Sequence, residues 1–311
     1  MDLRKIILED LDPSTSRVEF TTKPIVLLCG GHVPEKKAPG DPDPVDKSIR
    51  HRIVKSFPEF EIFRPEEIDN WQVDGIFKNL MDFESDLANI CSLVVIILES
   101  AGAIAELGAF SQLEDFKKKL VIFVSDEHAD MNSFINLGIL RFISRDHESG
   151  VRRHPWSSAT PANAPEDVVQ DIIDDIQDEL DNLHKSQTLK ISNGAHIMIV
   201  ICELVRLFIA LKDSEIVEAL QLLGNDIKKE DVRRKLFLLE RLEFIKTISH
   251  SDSKFYASNK YNLHSLRFAL KSQKKYDPIG LRLDLLDYYQ KTKSERNRAR
   301  AIQKAKMGAT A

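Results

Sequence analysis

The chain has 311 residues, 42% of them hydrophobic and 30% charged, and a formal net charge of −5. That length and apolar content predict about two globular domains, and the acidic balance excludes a surface built throughout for polyanions. Its three cysteines, Cys29, Cys91 and Cys202, are widely spaced and form no CxxC pair, which argues against a disulfide framework and a zinc site, so no metal is expected.

The first residues are charged and lack the apolar core of a secretory signal. The longest apolar stretch, Ile197 to Leu211, is interrupted by Glu203 and Arg206, so no membrane span is expected. The compartment implied is the cytoplasm.

In chain order, residues 1–23 read as an N-terminal extension. Pro24 to Cys29 is a buried strand, followed by the turn Cys29-Gly30-Gly31-His32. Paired glycines permit positive φ and close approach of a ligand; an ordinary strand-to-helix turn gives the same pattern. Glu35 to Asp46, rich in proline, glycine and charge, reads as a loop before a helix over Val45 to Ser56. It is either a lid or a plain surface loop. Phe60 to Phe63 is a second strand that ends before Pro65. Glu66 or Arg64 then faces a pocket, unless Glu66 and Glu67 merely cap a helix. Asp69 to Ile90 is amphipathic and helical, with Leu80, Phe83, Leu87 and Ile90 on one side and Asp86 read as exposed.

The organising stretch is Ser92 to Ser111, SLVVIILESAGAIAELGAFS. Leu93 to Leu98 reads as a parallel strand buried on both faces. Glu99 to Ala103 is a tight loop of small residues, and Glu106 opens a helix. A carboxylate in a first turn is stabilised as the anion, which fits either a nucleophile or a residue that only complements the dipole. Leu120 to Val124 is a fourth strand, Asn136 is placed to orient a ribose or base, and Leu137 to Ser144 gives a fifth strand. Strands alternating with helices predict a doubly wound, mostly parallel α/β domain over residues 24–160.

Texture changes over Arg145 to Pro165. Residues 161–192 read as an acidic linker helix, with Val168, Ile172, Ile176 and Leu180 on one face. Residues 193–265 have the order of a winged helix: three helices, then two short strands around His250 to Ser253. Its third helix carries Lys228, Lys229, Arg233, Arg234 and Lys235, which are candidate phosphate contacts; solvated basic residues on a protein-binding module are the alternative. Residues 266–311 read as a basic helical tail, solvated or acting as an arm on nucleic acid.

Three segments carry a family resemblance: LLCGG (Leu27 to Gly31), ESAGAIAELGAFS (Glu99 to Ser111) and SFINLG (Ser133 to Gly138). They resemble the nucleoside 2-deoxyribosyltransferase fold, and more closely the deoxyribosyltransferase-like effectors of bacterial retron defence systems. The resemblance implies that Glu106 is a nucleophile or oxocarbenium stabiliser in N-glycosidic cleavage. It also implies NAD as substrate, with no cofactor, and a toxin that aborts phage infection. The implied substrate contacts are Cys29, Gly30, Gly31, Glu66, Glu99, Ser100, Gly102 and Asn136. The implied partners are the retron reverse transcriptase and its msDNA, a DNA–RNA hybrid, with the effector a homo-oligomer or filament and no membrane involved. Two other readings stay open: deoxyribose transfer or deoxynucleotide hydrolysis on the same fold, and a non-enzymatic nucleotide sensor with a DNA-binding winged helix.

Overall fold

The computed structural model describes residues 2–20, 23–34, 42, 44–56, 58–67, 75–129, 131–259 and 264–307. Helix α1 (Leu3–Asp10) leads into strand β1 (Leu11–Glu19), and then come β2 (Ile25–Cys29), α2 (Ile49–Lys55), β3 (Glu61–Phe63), α3 (Leu80–Ile90), β4 (Leu93–Ile97) and α4 (Ala101–Phe110). After β5 (Leu120–Ser125), a π-helical turn over Ile135–Leu140 runs into α5 (Arg141–Asp146). The α/β part closes with β6 (Val151–His154) and α6 (Glu166–Asp181). The chain divides into two compact units, one of Lys23–Asp69 and Leu87–Leu183, the other of Met1–Thr22, Asn70–Asp86 and His184–Ala311.

The first unit holds a five-stranded sheet of order β3-β2-β4-β5-β6 with every pair parallel. This is a doubly wound α/β arrangement, and chain direction across the sheet reverses between β2 and β4. Such switch points open a crevice beyond the strands' carboxyl ends. The strands are β-branched and apolar because both faces are covered. Val26, Leu28, Val95, Ile97, Val121 and Phe123 share a core with Ile49 and Ile53 of α2 and Val168, Ile172 and Ile176 of α6. The alternate residues Leu27, Cys29, Val94, Ile96 and Ile122 are also buried.

Two expectations change here. Leu137 to Ser144 is helical, and the fifth strand is Val151–His154. A short apolar run does not separate strand from buried helix by periodicity alone. The acidic helix is not a free linker. Its apolar stripe, repeated every fourth residue, lies in the sheet's core, where each buried aliphatic side chain contributes about 1.5–3 kcal/mol.

The second unit contains β7 (Ser186–Thr188), α7 (Gly194–Leu207), α8 (Asp213–Leu222), α9 (Lys229–Arg241), β8 (Ile245–His250), β9 (Ser253–Ser258), β10 (Ser265–Leu270), α10 (Pro278–Lys291) and α11 (Arg296–Met307). Helices α7 to α9 followed by the antiparallel β8–β9 hairpin form an order compatible with a winged helix, and Leu211 bridges to Tyr256 of β9. Gly224 ends α8 at φ +95°, a conformation that costs a glycine little.

Among the described residues, neither terminal segment is a loose extension. Strand β1 is the middle strand of an antiparallel sheet β10-β1-β7. Arg298 of α11 is 2% exposed. It bonds Glu215 and the Ala210 carbonyl and lies 2.6 Å from Glu295, while Arg4 of α1 lies 2.6 Å from Glu215 and 2.9 Å from Glu295. Basic charge in the terminal segment is thus partly consumed by partly buried acids of its own unit, an arrangement invisible in a charge count. Among the described residues, no helix is long and apolar enough to cross a membrane.

Candidate active site at the β2–β4 switch point

Glu99 lies just beyond β4. Its Oε1 accepts from the amides of Gly31 at 2.9 Å and Arg50 at 3.0 Å, and its Oε2 accepts from Ile49 at 2.7 Å. One carboxylate therefore ties the turn after β2 to the first turn of α2. Burial pushes the Glu99 carboxyl up, and the three amide donors and the Arg50 charge pull against that push. Expected as a substrate contact, Glu99 here accepts three backbone hydrogen bonds within the protein.

The glycine pair is explained by this packing. A Cβ on Gly31 would sit 2.5 Å from Ser48 Cβ, and one on Gly30 would sit 3.0 Å from both Arg50 Cβ and Glu99 Oε1. Positive φ is not the reason: among the described residues, Gly75 and Gly224 are the glycines with it. The amides of Gly31, Ile49 and Arg50, which face the turn, already have an acceptor.

Ser100 is the N-cap of α4. Its Oγ accepts from the Ala103 amide at 3.1 Å and donates to the Gly30 carbonyl at 2.9 Å, so this hydroxyl too has a structural task. The small residues after it are helical. Glu106 consequently sits in the second turn of α4, roughly 7.5 Å along the axis from Ala101, past the reach of the helix N-terminus. This corrects the expected first-turn position.

Glu106 is governed by burial instead. Burial raises its carboxyl pKa above the ordinary value; the Arg50 charge and a hydrogen bond from the Cys29 thiol pull it down, and the Glu66 charge pushes it further up. Its Oε2 is buried with no hydrogen-bond partner. Buried carboxylate oxygens are ordinarily satisfied, so an orphan of this kind asks for a functional reason. Cys29 is 1% exposed and acts as a donor to Glu106, too enclosed to meet a bulky ligand itself.

Arg50 completes the cluster. It is 6% exposed, and its guanidinium forks onto Glu66, with Nη1 2.9 Å from Oε1 and Nη2 2.9 Å from Oε2. Burial opposes ionisation of Glu66, but the Arg50 hydrogen bond and charge outweigh it and hold the pKa below the ordinary value. Glu66 thus joins the cluster, while Arg64 pairs with Glu67. Arg50 itself escaped sequence reading, because a basic residue in IRHRIVK looks like a solvated helix face.

Other expected contacts lie apart from these bonds. Gly102 is exposed, with only Ser100 Oγ, at 3.8 Å, near where its Cβ would stand. Asn136 donates its side-chain amide to the carbonyls of His128 at 2.6 Å and Met131 at 2.9 Å, pinning its own loop. Most of the possible lid, residues 35–41 and 43, lies outside the described residues.

The basic helix α9 is also divided. Lys228, Lys229 and Arg233 are exposed. Lys235 is 6% exposed and its Nζ lies 2.7 Å from Asp86, while Arg234 Nε lies 3.0 Å from the same carboxylate. Asp86, read as exposed, is 5% exposed: it neutralises the buried Lys235 and shares the partly exposed Arg234 with Asp231, 3.1 Å from Arg234 Nη2. Arg234 and Lys235 therefore hold their own unit together and are not free phosphate contacts.

The family model described as STM3845 retron effector protein matches residues 46–247, more than half of the chain. The "Retron Ec86 putative ribosyltransferase/DNA-binding protein" of Escherichia coli is 29% identical over 132 residues, which is 41% of this chain and 40% of that protein. The "Retron Ec73 putative ribosyltransferase/DNA-binding protein" of the same organism is 33% identical over 75 residues, 24% of each chain. The chain thus matches less than half the length of either relative. With its parallel sheet and a family match that takes in Arg50, Glu66, Glu99 and Glu106, the chain belongs to the retron effector family.

Proposed function

We propose that this retron effector is an N-glycosidase that hydrolyses the nicotinamide–ribose bond of NAD, with Glu106 as the nucleophile. The observation that supports this most is the buried, partnerless Oε2 of Glu106 beside the switch point of a parallel sheet. The names of the two E. coli relatives, which call them ribosyltransferases, fit the same bond class.

In the proposed chemistry the nicotinamide leaves as a neutral base, carrying the electron pair of the broken C–N bond. As that bond lengthens, positive charge grows on the ribose, and an ionised Glu106 stabilises it. Oε2 then forms an ester with the anomeric carbon, and water releases ribosyl product and regenerates the carboxylate. The raised pKa of Glu106 reflects an anion poorly solvated in the free protein, and a cationic substrate supplies the missing partner. Cys29 holds the carboxyl group in place through its hydrogen bond.

The retron setting suggests that the toxin rests inactive, as a homo-oligomer or filament, with the reverse transcriptase and msDNA, the exposed Lys228, Lys229 and Arg233 meeting phosphates. A nucleotide panel tests substrate choice: NAD, deoxynucleosides with an acceptor base, and deoxynucleotides. Free nicotinamide from NAD supports the proposal; base exchange would move the assignment to deoxyribosyl transfer, and binding without release of any base to a sensor.

A further inference from the structure

Arg50 and Glu66 form an asymmetric pair. The guanidinium side chain is 8% exposed and the carboxylate 43%. The cation is built into the protein, whereas its anion is reachable from solvent on the short turn Pro65–Glu67 after the edge strand β3. Arg50 is also incompletely satisfied: Nε is buried with no hydrogen-bond partner. A buried cation needs an anion, and the fork that receives a carboxylate on two parallel bonds fits two oxygens of a phosphate equally well.

The rest of the cluster narrows what the fork serves. The amides of Gly31, Ile49 and Arg50 are taken by Glu99, so these three donors are already engaged with a carboxylate of the protein. The Arg50 and Glu66 charges both act on Glu106, which places the pair within electrostatic reach of the partnerless carboxylate oxygen.

We propose that Arg50 is the seat for a phosphate group of the substrate, and that Glu66 is a resident counter-ion that this phosphate displaces. The site then takes a ribosyl compound bearing a phosphate, a nucleotide rather than a nucleoside. This rests on the N-glycosidase reading for the role of Glu106, but the anion seat is testable without turnover.

The test is calorimetric binding of ribose 5-phosphate, with ribose as control, to the full chain at low ionic strength. Removing the counter-ion with Glu66→Gln is expected to tighten ribose 5-phosphate binding by about tenfold and to leave ribose unchanged. The double variant Arg50→Gln with Glu66→Gln, which buries no lone charge, is expected to lose that gain. Binding by Glu66→Gln within about twofold of the parent chain, or a double variant as tight as Glu66→Gln, would overturn the proposal. Tightening in a protein that releases no base from any nucleotide would leave the phosphate seat standing and remove the glycosidase reading; base release without tightening would do the reverse.

Discussion

Glu99 accepts the Gly31 amide at 2.9 Å, and this bond closes the turn after β2 onto the loop after β4. With the amides of Ile49 and Arg50 on the same carboxylate, it fixes the entry of α2 and so the position of Arg50. Glu99→Ala strands three buried donors, each costing about 1–3 kcal/mol. The expected outcome is a loss of about 3 kcal/mol or more, read as a lower urea midpoint. A stable Glu99→Ala protein that only binds substrate less well would reassign the residue to the pocket.

Two glycines provide a contrast. Gly31→Ala drives a methyl against Ser48, and overpacking of this sort costs about 1–3 kcal/mol. Gly102→Ala meets only an ordinary van der Waals contact with Ser100 Oγ in the first turn of α4 and is expected to be neutral, or to stabilise by about 0.4–1 kcal/mol. Thermal melts of the two variants in one buffer decide the matter.

The buried contact of Asp86 with Lys235 makes Asp86→Ala expensive, about 3–5 kcal/mol, because the buried ammonium loses its partner, while Arg234 keeps Asp231. The exposed Lys228, Lys229 and Arg233 should behave differently. Their joint replacement by glutamine is expected to preserve stability, weaken DNA or RNA binding, and lower the slope of log affinity against log salt by about three. An unchanged slope would remove this face from the nucleic-acid interface.

Much of the sheet was legible because PIVLLC, SLVVIIL and LVIFV are β-branched and apolar on both faces, as strands of a covered parallel sheet are. The order of three helices and a β-hairpin in the second unit was legible from caps and turns. Harder to see were features that depend on distant partners. Arg298 reads as one more base in a basic tail, yet Glu215, more than eighty residues away, buries it. Arg50 reads as solvated until Glu66 is placed beside it. Glu99 to Ala103 reads as a loop because its residues are small, although Ser100 is a good N-cap three residues before the amide it binds; that cap places Glu106 in the second turn.

The pKa of Glu106 gives a pH signature. In the folded protein it is raised by burial, so the protonated form is favoured by folding. That contribution is complete below the unfolded carboxyl pKa of about 4.3 and is lost as pH rises through the folded value. Compared with Glu106→Gln, the parent chain should therefore lose stability from acid toward neutral pH, and the variant should be at least as stable near pH 7. Activity requires the ionised form and should fall as pH drops through the same raised value. A parent chain that gains stability relative to the variant as pH rises would contradict the burial account.

The central claim is tested most directly by nicotinamide release from NAD, comparing the parent chain, freed of nucleic acid, with Glu106→Gln. The account predicts release by the parent and a loss of about a thousandfold or more in the variant, with the variant's fold and nucleic-acid binding intact. A Glu106→Gln protein that releases nicotinamide at the parental rate would contradict the role of Glu106, and a parent chain that releases none would contradict NAD as the substrate.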